Sequence, residues 1–170
     1  MTEQIIEWRK IEGYQNYSVS SAGEVRNDET NRILRPGIGS GYQQVVLHQN
    51  GKGKSIYIHR LVALHFIPNP AHKRCVDHIN CDKTNNKLEN LRWATSKENG
   101  ANAKMKSRNT SGVKGVCWNK LASKWQVQIQ INGVTTRLGL FATLEEATTA
   151  RRKAANEHYG EFCHSSEQNL

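Results

Sequence analysis

The stretch Cys75-Val76-Asp77-His78-Ile79, continuing through the polar run Asn80 to Glu89 into Asn90-Leu91-Arg92-Trp93-Ala94 and then Thr95-Ser96-Lys97-Glu98-Asn99, decides how the rest of the chain is read. Arg74 to Ile79 predicts a short strand, Asn80 to Glu89 a polar loop, and Leu91 to Ala94 a second strand. Thr95 followed three residues later by Glu98 is a capping-box pattern, and it predicts a helix from Ser96 to Lys106 with Asn99 in its first turn. A hairpin leading into a helix can bring Asp77 and Asn99 near each other although they are far apart in the chain. Asp77 offers a charged oxygen and Asn99 a neutral one, a pairing that suits a hard divalent ion with positions left for water and phosphate. His78 can take a proton near neutral pH, and Asn90 can hydrogen-bond the imidazole or its backbone. On a regular strand Asp77 and His78 face opposite ways, so a shared site needs a local twist. Residue types alone leave two readings open, a centre for metal-assisted phosphodiester hydrolysis and an ordinary asparagine-rich loop.

Composition sets the frame for that stretch. The chain has 170 residues, of which 36% are hydrophobic, below the roughly 45–50% usual for globular chains. Small modules with thin cores fit this better than one deep core. The net charge is +9, with +4 on residues 1–100 and +5 on residues 101–170, so both halves can touch one polyanion. No apolar run reaches the roughly 18 residues of a membrane span, and the first residues lack a basic-then-apolar signal pattern. These features point to a soluble, cytoplasmic protein. Cys75, Cys81, Cys117 and Cys163 form no Cys-x-x-Cys pair, so they read as small packing residues, with neither a disulfide framework nor a structural zinc site expected.

Upstream, Trp8 to Ile11, Tyr17 to Ser20 and Glu24 to Asn27 read as strands around turns. Tyr42 to His48 and Ser55 to Ile58 read as a hairpin about Asn50-Gly51. His59 to Phe66 switches to a helical period and stops at Pro68. Arg26, Arg32, Arg35, Lys52 and Lys54 cluster at the turns, where they can contact phosphate or simply face solvent. His59 and His65 are too far apart for an i, i+4 metal pair and read as packing or hydrogen-bonding residues.

Downstream, Ser107 to Gly112 reads as a linker. Gly115 to Trp118 starts a strand, and Lys124-Trp125-Gln126-Val127-Gln128-Ile129-Gln130-Ile131 alternates, with Trp125, Val127, Ile129 and Ile131 on one face. Asn132-Gly133 is a turn, Thr135 to Gly139 a third strand, and Thr143 with Glu146 a second capping box that opens a helix to about Tyr159. The opposite sheet face carries Lys124, Gln126, Gln128, Gln130 and Arg137. Such side chains can reach base edges in a major groove, or form a plain solvent face.

The run Val76-Asp77-His78, Asn85-Asn86-Lys87-Leu88-Glu89-Asn90-Leu91-Arg92-Trp93 and Asn99 resembles the HNH nuclease motif, in the form found in phage and intron-encoded homing endonucleases. Trp8 to Val25 is similar to the module that precedes the motif in such nucleases, and His59 to Ala63 to the helix that leads into it. The resemblance implies a ββα-metal centre with Asp77 and Asn99 as metal ligands, His78 as general base and Asn90 as the residue that orients it. It also implies Mg²⁺, with Mn²⁺ as the alternative. The downstream segment, through Gly115-Val116, Trp118, Lys124-Trp125, Leu138-Gly139, Phe141, Glu145-Glu146-Ala147 and Ala154-Ala155, resembles the plant ethylene-response-factor (Apetala-type) DNA-binding domain. That likeness implies a DNA-reading sheet with Lys114, Trp118, Lys124, Gln126, Gln128, Gln130 and Arg137.

The expected fold is α+β. A small sheet module with a helix occupies residues 1–72, the ββα-metal motif 73–106, a linker 107–112, and a three-stranded antiparallel sheet packed on one helix 113–165. The expected function is a site-recognising DNA endonuclease of the homing type, encoded by a phage or mobile element. The resemblance implies a 5′-phosphate and a 3′-hydroxyl as products, and the enzyme is expected to act on duplex DNA as a monomer that nicks, or as a dimer that cuts both strands. Arg26, Arg35, Lys52, Lys54 and Arg92 join the downstream sheet as expected DNA contacts. The rival is a sequence-specific DNA-binding regulator with an inactive nuclease centre.

Overall fold

The computed structural model describes residues 5–105 and 107–168. It is a mixed α+β chain with several small antiparallel sheets and few helices. Two compact units divide between Ala94 and Thr95, so the expected motif over 73–106 straddles the division.

In the first unit, β1 (Trp8–Ile11), β2 (Tyr14–Ser20), β3 (Val25–Asn27) and β4 (Arg32–Ile33) form an antiparallel sheet in chain order. A second meander joins β5 (Gly37–Gly39), β6 (Tyr42–Gln49) and β7 (Lys52–Tyr57). Its β6–β7 turn is Asn50-Gly51 with φ of 51° and 74°, both positive, as a type I′ turn requires. β7 runs directly into α1 (Ile58–Phe66). Ile58, Leu61 and Val62 of α1 then pack with Val19, Val25, Val45, Leu47, Val76, Leu91 and Trp93 in one core. The remaining hairpin pairs β8 (Cys75–His78) with β9 (Leu91–Ala94), setting Asp77 opposite Arg92 and His78 opposite Leu91. Trp93 pins it to the end of α1 by donating from Nε1 to the Ile67 carbonyl at 2.9 Å.

The loop between β8 and β9 is held from outside as well. Leu88 donates its N–H to the Ser21 carbonyl at 2.8 Å. Gly23, at φ 84°, sits so close that a Cβ there would meet the Asn86 backbone at 2.8 Å. Only glycine fits that turn, and the first sheet therefore positions the asparagine-rich loop.

The second unit opens with α2 (Ser96–Asn102), whose capping box is present in full. The helix is shorter than the Ser96-to-Lys106 span expected from sequence, and Lys106 itself lies outside the described residues. A non-local contact accompanies the early end: the Lys114 ammonium donates to the carbonyls of Ala101 at 2.6 Å and Ala103 at 2.9 Å, filling the role of a C-terminal cap. Residues 107–112 fold back on the next strand, with Ser111 Oγ donating to the Val116 carbonyl at 2.8 Å. β10 (Val116–Asn119), β11 (Lys124–Ile131) and β12 (Val134–Phe141) form an antiparallel meander, and α3 (Leu144–Tyr159) packs on β11 and β12. Among the described residues, Leu88–Asn90, Gly160–Phe162 and Ser165–Glu167 form short 3₁₀ turns.

Candidate active site

The β8–β9 hairpin buries both chemistry-bearing residues of its first strand. Asp77 Oδ2 accepts from Arg92 Nε at 2.9 Å and lies 2.8 Å from Arg92 Nη2. Opposed residues of an antiparallel pair share a face, so Arg92, expected as a DNA contact, is drawn onto the carboxylate beside it.

His78 Nε2 meets Asn86 Oδ1 at 3.2 Å, and Asn86 Nδ2 in turn donates to Gln43 Oε1 at 2.7 Å. Because the amide nitrogen is committed to an acceptor, the amide oxygen faces the imidazole, and Nε2 carries the ring proton. Nδ1 is then the basic nitrogen. Burial pushes the His78 pKa down. The Asn86 bond and the charges of Asp77 and Asp82 pull it back up, Lys83 adds to the lowering, and the net shift is downward. A histidine so placed stays neutral, and able to accept a proton, at lower pH than a free imidazole.

Asn90 works through the backbone rather than on the ring. Its Oδ1 accepts from the Asn80 N–H at 3.0 Å, its Nδ2 donates to the Asn85 carbonyl at 2.8 Å, and its own carbonyl accepts from Ile79 N–H at 2.9 Å. It closes the neck of the loop immediately after His78. Asn86 is the residue that sequence reasoning missed. Its signal in the sequence is its place in the Asn85-to-Trp93 run of the motif, among several equivalent asparagines.

A second histidine lies against the first. His59 is in the first turn of α1, with its ring centroid 5.1 Å from that of His78 and 4.8 Å from that of Tyr42. Burial, with the nearby His78 and Arg60, lowers its pKa to about 4. Lys83 stands over the Tyr42 ring at 4.4 Å. His65, by contrast, is an ordinary hydrogen-bonded histidine, set between the Leu61 carbonyl at 2.8 Å and the Glu12 N–H at 3.1 Å.

Asn99 belongs to the second unit, half-buried in α2, with its N–H on the Thr95 carbonyl at 3.0 Å. Among the described residues no three His, Cys, Asp or Glu side chains gather into a metal-holding group. The donors the sequence singled out are one carboxylate and one amide oxygen. Both are hard oxygen donors of the kind that suits a divalent cation.

The other expected DNA contacts divide. Arg35, Lys52, Lys54, Lys124, Gln128 and Gln130 are exposed. Arg26 is held by Asp28 at 3.1 Å and lies over the Trp8 ring at 4.4 Å. Arg137 Nη2 donates to Gln126 Oε1 at 2.6 Å, so these two share the outer face of the second unit's sheet. Lys114 is turned to the α2 carbonyls. Trp118 requires a correction. It pairs across from Trp125, whereas Gln126 pairs with Cys117. Trp118 therefore stands on the face of Trp125, opposite Gln126, although it is 44% exposed at the sheet's edge. Cys163 is buried as expected of a packing cysteine, but Cys117 is exposed. No helix among the described residues is long and apolar enough to cross a membrane.

Comparison with known proteins agrees with the geometry. A family profile described as HNH endonuclease matches residues 56–101, and the NUMOD4 motif matches residues 7–48. The chain is 41% identical over 110 residues to DNA endonuclease I-HmuI of Bacillus phage SP01, covering 64% of this chain and 62% of that protein. It is 33% identical over 129 residues to an uncharacterized HNH endonuclease of Acanthamoeba polyphaga mimivirus, covering 76% of this chain and 36% of the other. It is 32% identical over 108 residues to the H-N-H endonuclease F-TflII of Escherichia phage T5, covering 62% and 56%. The chain thus spans less than two thirds of the length of the curated relatives it matches. A solved structure of DNA binding and cleavage by the HNH homing endonuclease I-HmuI superposes with a TM-score of 0.54 at 30% identity, covering 91% of this chain and 83% of that one. By motif, by sequence and by fold, the chain belongs to the HNH endonuclease family.

Proposed function

We propose that this protein is a DNA endonuclease that hydrolyses a phosphodiester with His78 as general base. The observation that carries the reading is the His78–Asn86–Gln43 chain, which fixes the imidazole and its tautomer inside a buried hairpin. His78 Nδ1 takes a proton from water as the water oxygen bonds to phosphorus, and the bond to the departing 3′ oxygen breaks. That oxygen takes a proton from solvent, leaving a 5′-phosphate and a 3′-hydroxyl. Asn86 holds the ring and Asn90 holds the backbone that carries it. Asp77 and Asn99 are the proposed holders of a divalent ion, Mg²⁺ by the hardness of their oxygens. Such an ion supplies charge neutralisation at the phosphate and the leaving oxygen when bound.

The proposed substrate is duplex DNA, held by a chain of net charge +9. In this reading the outer sheet face of the second unit, with Gln126, Gln128 and Arg137, contributes to site recognition in the manner of an Apetala-type domain. A monomer with one centre cuts one strand per encounter. The test is supercoiled plasmid incubated with Mg²⁺. Wild type should nick it, and His78→Ala should be slower by about 10²–10⁴-fold while binding DNA as before. A wild-type protein that binds DNA and never nicks it replaces this reading with that of a DNA-binding regulator.

A further inference from the structure

We propose that the His59 imidazole is a neutral hydrogen-bond donor to a phosphate oxygen of the substrate, seated at the amino end of α1 beside His78; this rests on the nuclease reading above.

Three observations converge on it. His59 is only 7% exposed, and its Nδ1 is sealed from solvent without a hydrogen-bond partner among the described residues. A neutral imidazole carries one ring proton. A sealed N–H with no acceptor is costlier than a sealed lone pair, so the proton belongs on Nε2, where a ligand can accept it. Buried polar side chains in folded proteins are paired in the large majority, and an imidazole this deep with a donor to offer points to a partner that comes from outside.

The second observation is the helix end. α1 has nine residues, its N-cap Tyr57 makes no side-chain cap, and its first turn holds no acidic residue. The opening N–H groups thus lack a capping side chain, and the positive end of the helix dipole favours an anion there. The His59 ring leans toward this end, as helical side chains do, and stacks on the N-cap Tyr57 ring at 5.5 Å and 23°.

The third is electrostatic. With its pKa at about 4, His59 stays uncharged across the working range and does not compete with His78 for a proton. Lys83, over Tyr42 at 4.4 Å, supplies a cation near the ring cluster. An oxyanion beside a proton-accepting His78 is what attack of water on phosphorus requires.

The full-length protein tests this in two ways. In ¹⁵N-labelled protein without metal, titration with inorganic phosphate should move the His59 Nε2 resonance and the Ile58 and His59 backbone amides saturably. It should do so in His78→Ala as well. Shifts confined to the exposed lysines and arginines, with His59 silent, overturn the proposal. In plasmid cleavage, His59→Phe keeps a ring for packing and removes the donor. It should lower kcat/KM by about 10- to 100-fold. Wild-type kcat/KM in His59→Phe overturns the proposal, because packing alone then accounts for His59. If His59→Phe misfolds, the wild-type titration still decides. A wild type that binds phosphate at His59 but never cleaves DNA defeats the nuclease reading and leaves the anion seat standing.

Discussion

Each unit buries an arginine–carboxylate pair, and the two pairs are embedded differently. In the second unit Arg151 and Glu167, with side chains 3% and 0% exposed, meet at 2.6 Å. Arg151 also donates from Nε to the Lys114 carbonyl at 2.8 Å. The side chains around them are small: α3 buries Ala147, Ala154 and Ala155, and the nearby hydrophobic cluster centres on Val116, Val127 and Ala147. In the first unit Asp77 and Arg92 are 4% and 15% exposed, beside His78, over a core of Leu47, Ile58, Leu61, Val62 and Trp93. One pair is sealed and links α3 to a late 3₁₀ turn. The other is open on its arginine side and adjoins the candidate chemistry. A buried charge is tolerated only with its partner, so the sealed pair is where the fold is most exposed to a single substitution. The first unit sets its pair over a larger aliphatic cluster.

The largest effect should therefore come from the sealed pair. Glu167→Ala leaves the Arg151 guanidinium buried and uncompensated, and should destabilise the second unit by about 3–5 kcal/mol in urea unfolding. The double variant Arg151→Met with Glu167→Leu should recover most of that loss, because two apolar groups carry no desolvation penalty. Equal losses in single and double variants would mean that the pair acts by shape alone.

Arg92→Met tests the other side of the comparison. It removes the donors to Asp77 Oδ2, but the site is more open and the surrounding core is larger. The expected cost is about 1–3 kcal/mol, less than at Glu167. Cleavage should change in step with Asp77 rather than with stability. A loss as large as that of Glu167→Ala would make the Asp77–Arg92 pair a structural element like its counterpart.

Much of this arrangement is legible in the sequence because it is local. Asn50-Gly51 and Asn132-Gly133 each make the two-residue turn that their chemistry requires. The capping boxes at Thr95 and Thr143 are both formed. The alternation from Lys124 to Ile131 puts Val127 and Ile129 inside. What escaped depends on contacts far along the chain. The end of α2 accompanies Lys114 reaching its carbonyls. The choice of Asn86 over its neighbours as the partner of His78 depends on Gly23 and Gln43. The face of Trp118 depends on how residues 120–123 close the β10–β11 hairpin, since a shift of one residue inverts a strand's faces. A residue list cannot reveal that a nitrogen lacks a partner, so from sequence His59 reads as a packing or hydrogen-bonding residue.

The caps carry the comparison to a smaller scale. Thr143 Oγ1 accepts from the Glu146 N–H at 3.1 Å, and Glu146 Oε2 accepts from the Thr143 N–H at 3.3 Å. Thr143→Ala should cost about 1 kcal/mol in urea unfolding. Tyr57→Ser at the head of α1 should instead weaken the phosphate-dependent shifts at His59, because the introduced hydroxyl competes for the same N–H groups and the ring stacked on His59 is removed. Shifts left intact would mean that the anion does not use that end of the helix.

The smallest effect concerns a half-buried carboxylate of the first unit whose Lys10 partner stands in solvent, which screens the pair. Asp28 receives Lys10 and Ser18 on Oδ2 at 2.8 and 2.7 Å, and Arg26 on Oδ1 at 3.1 Å. Burial alone pushes its pKa up, but these hydrogen bonds and the Lys10 charge outweigh burial and hold it below the ordinary carboxylate range. A pKa lower in the folded than in the unfolded chain means that stabilisation is present above the unfolded value and is lost as pH falls through the folded one. Asp28→Asn should thus cost about 0.5–1 kcal/mol at pH 7 in low salt, less in high salt, and nothing once the pH lies below the folded value and Asp28 is protonated in both states. A cost that persists at that pH would assign Asp28 to hydrogen bonding alone. It would also separate this open cluster from the two arginine pairs, whose contributions rest on charge.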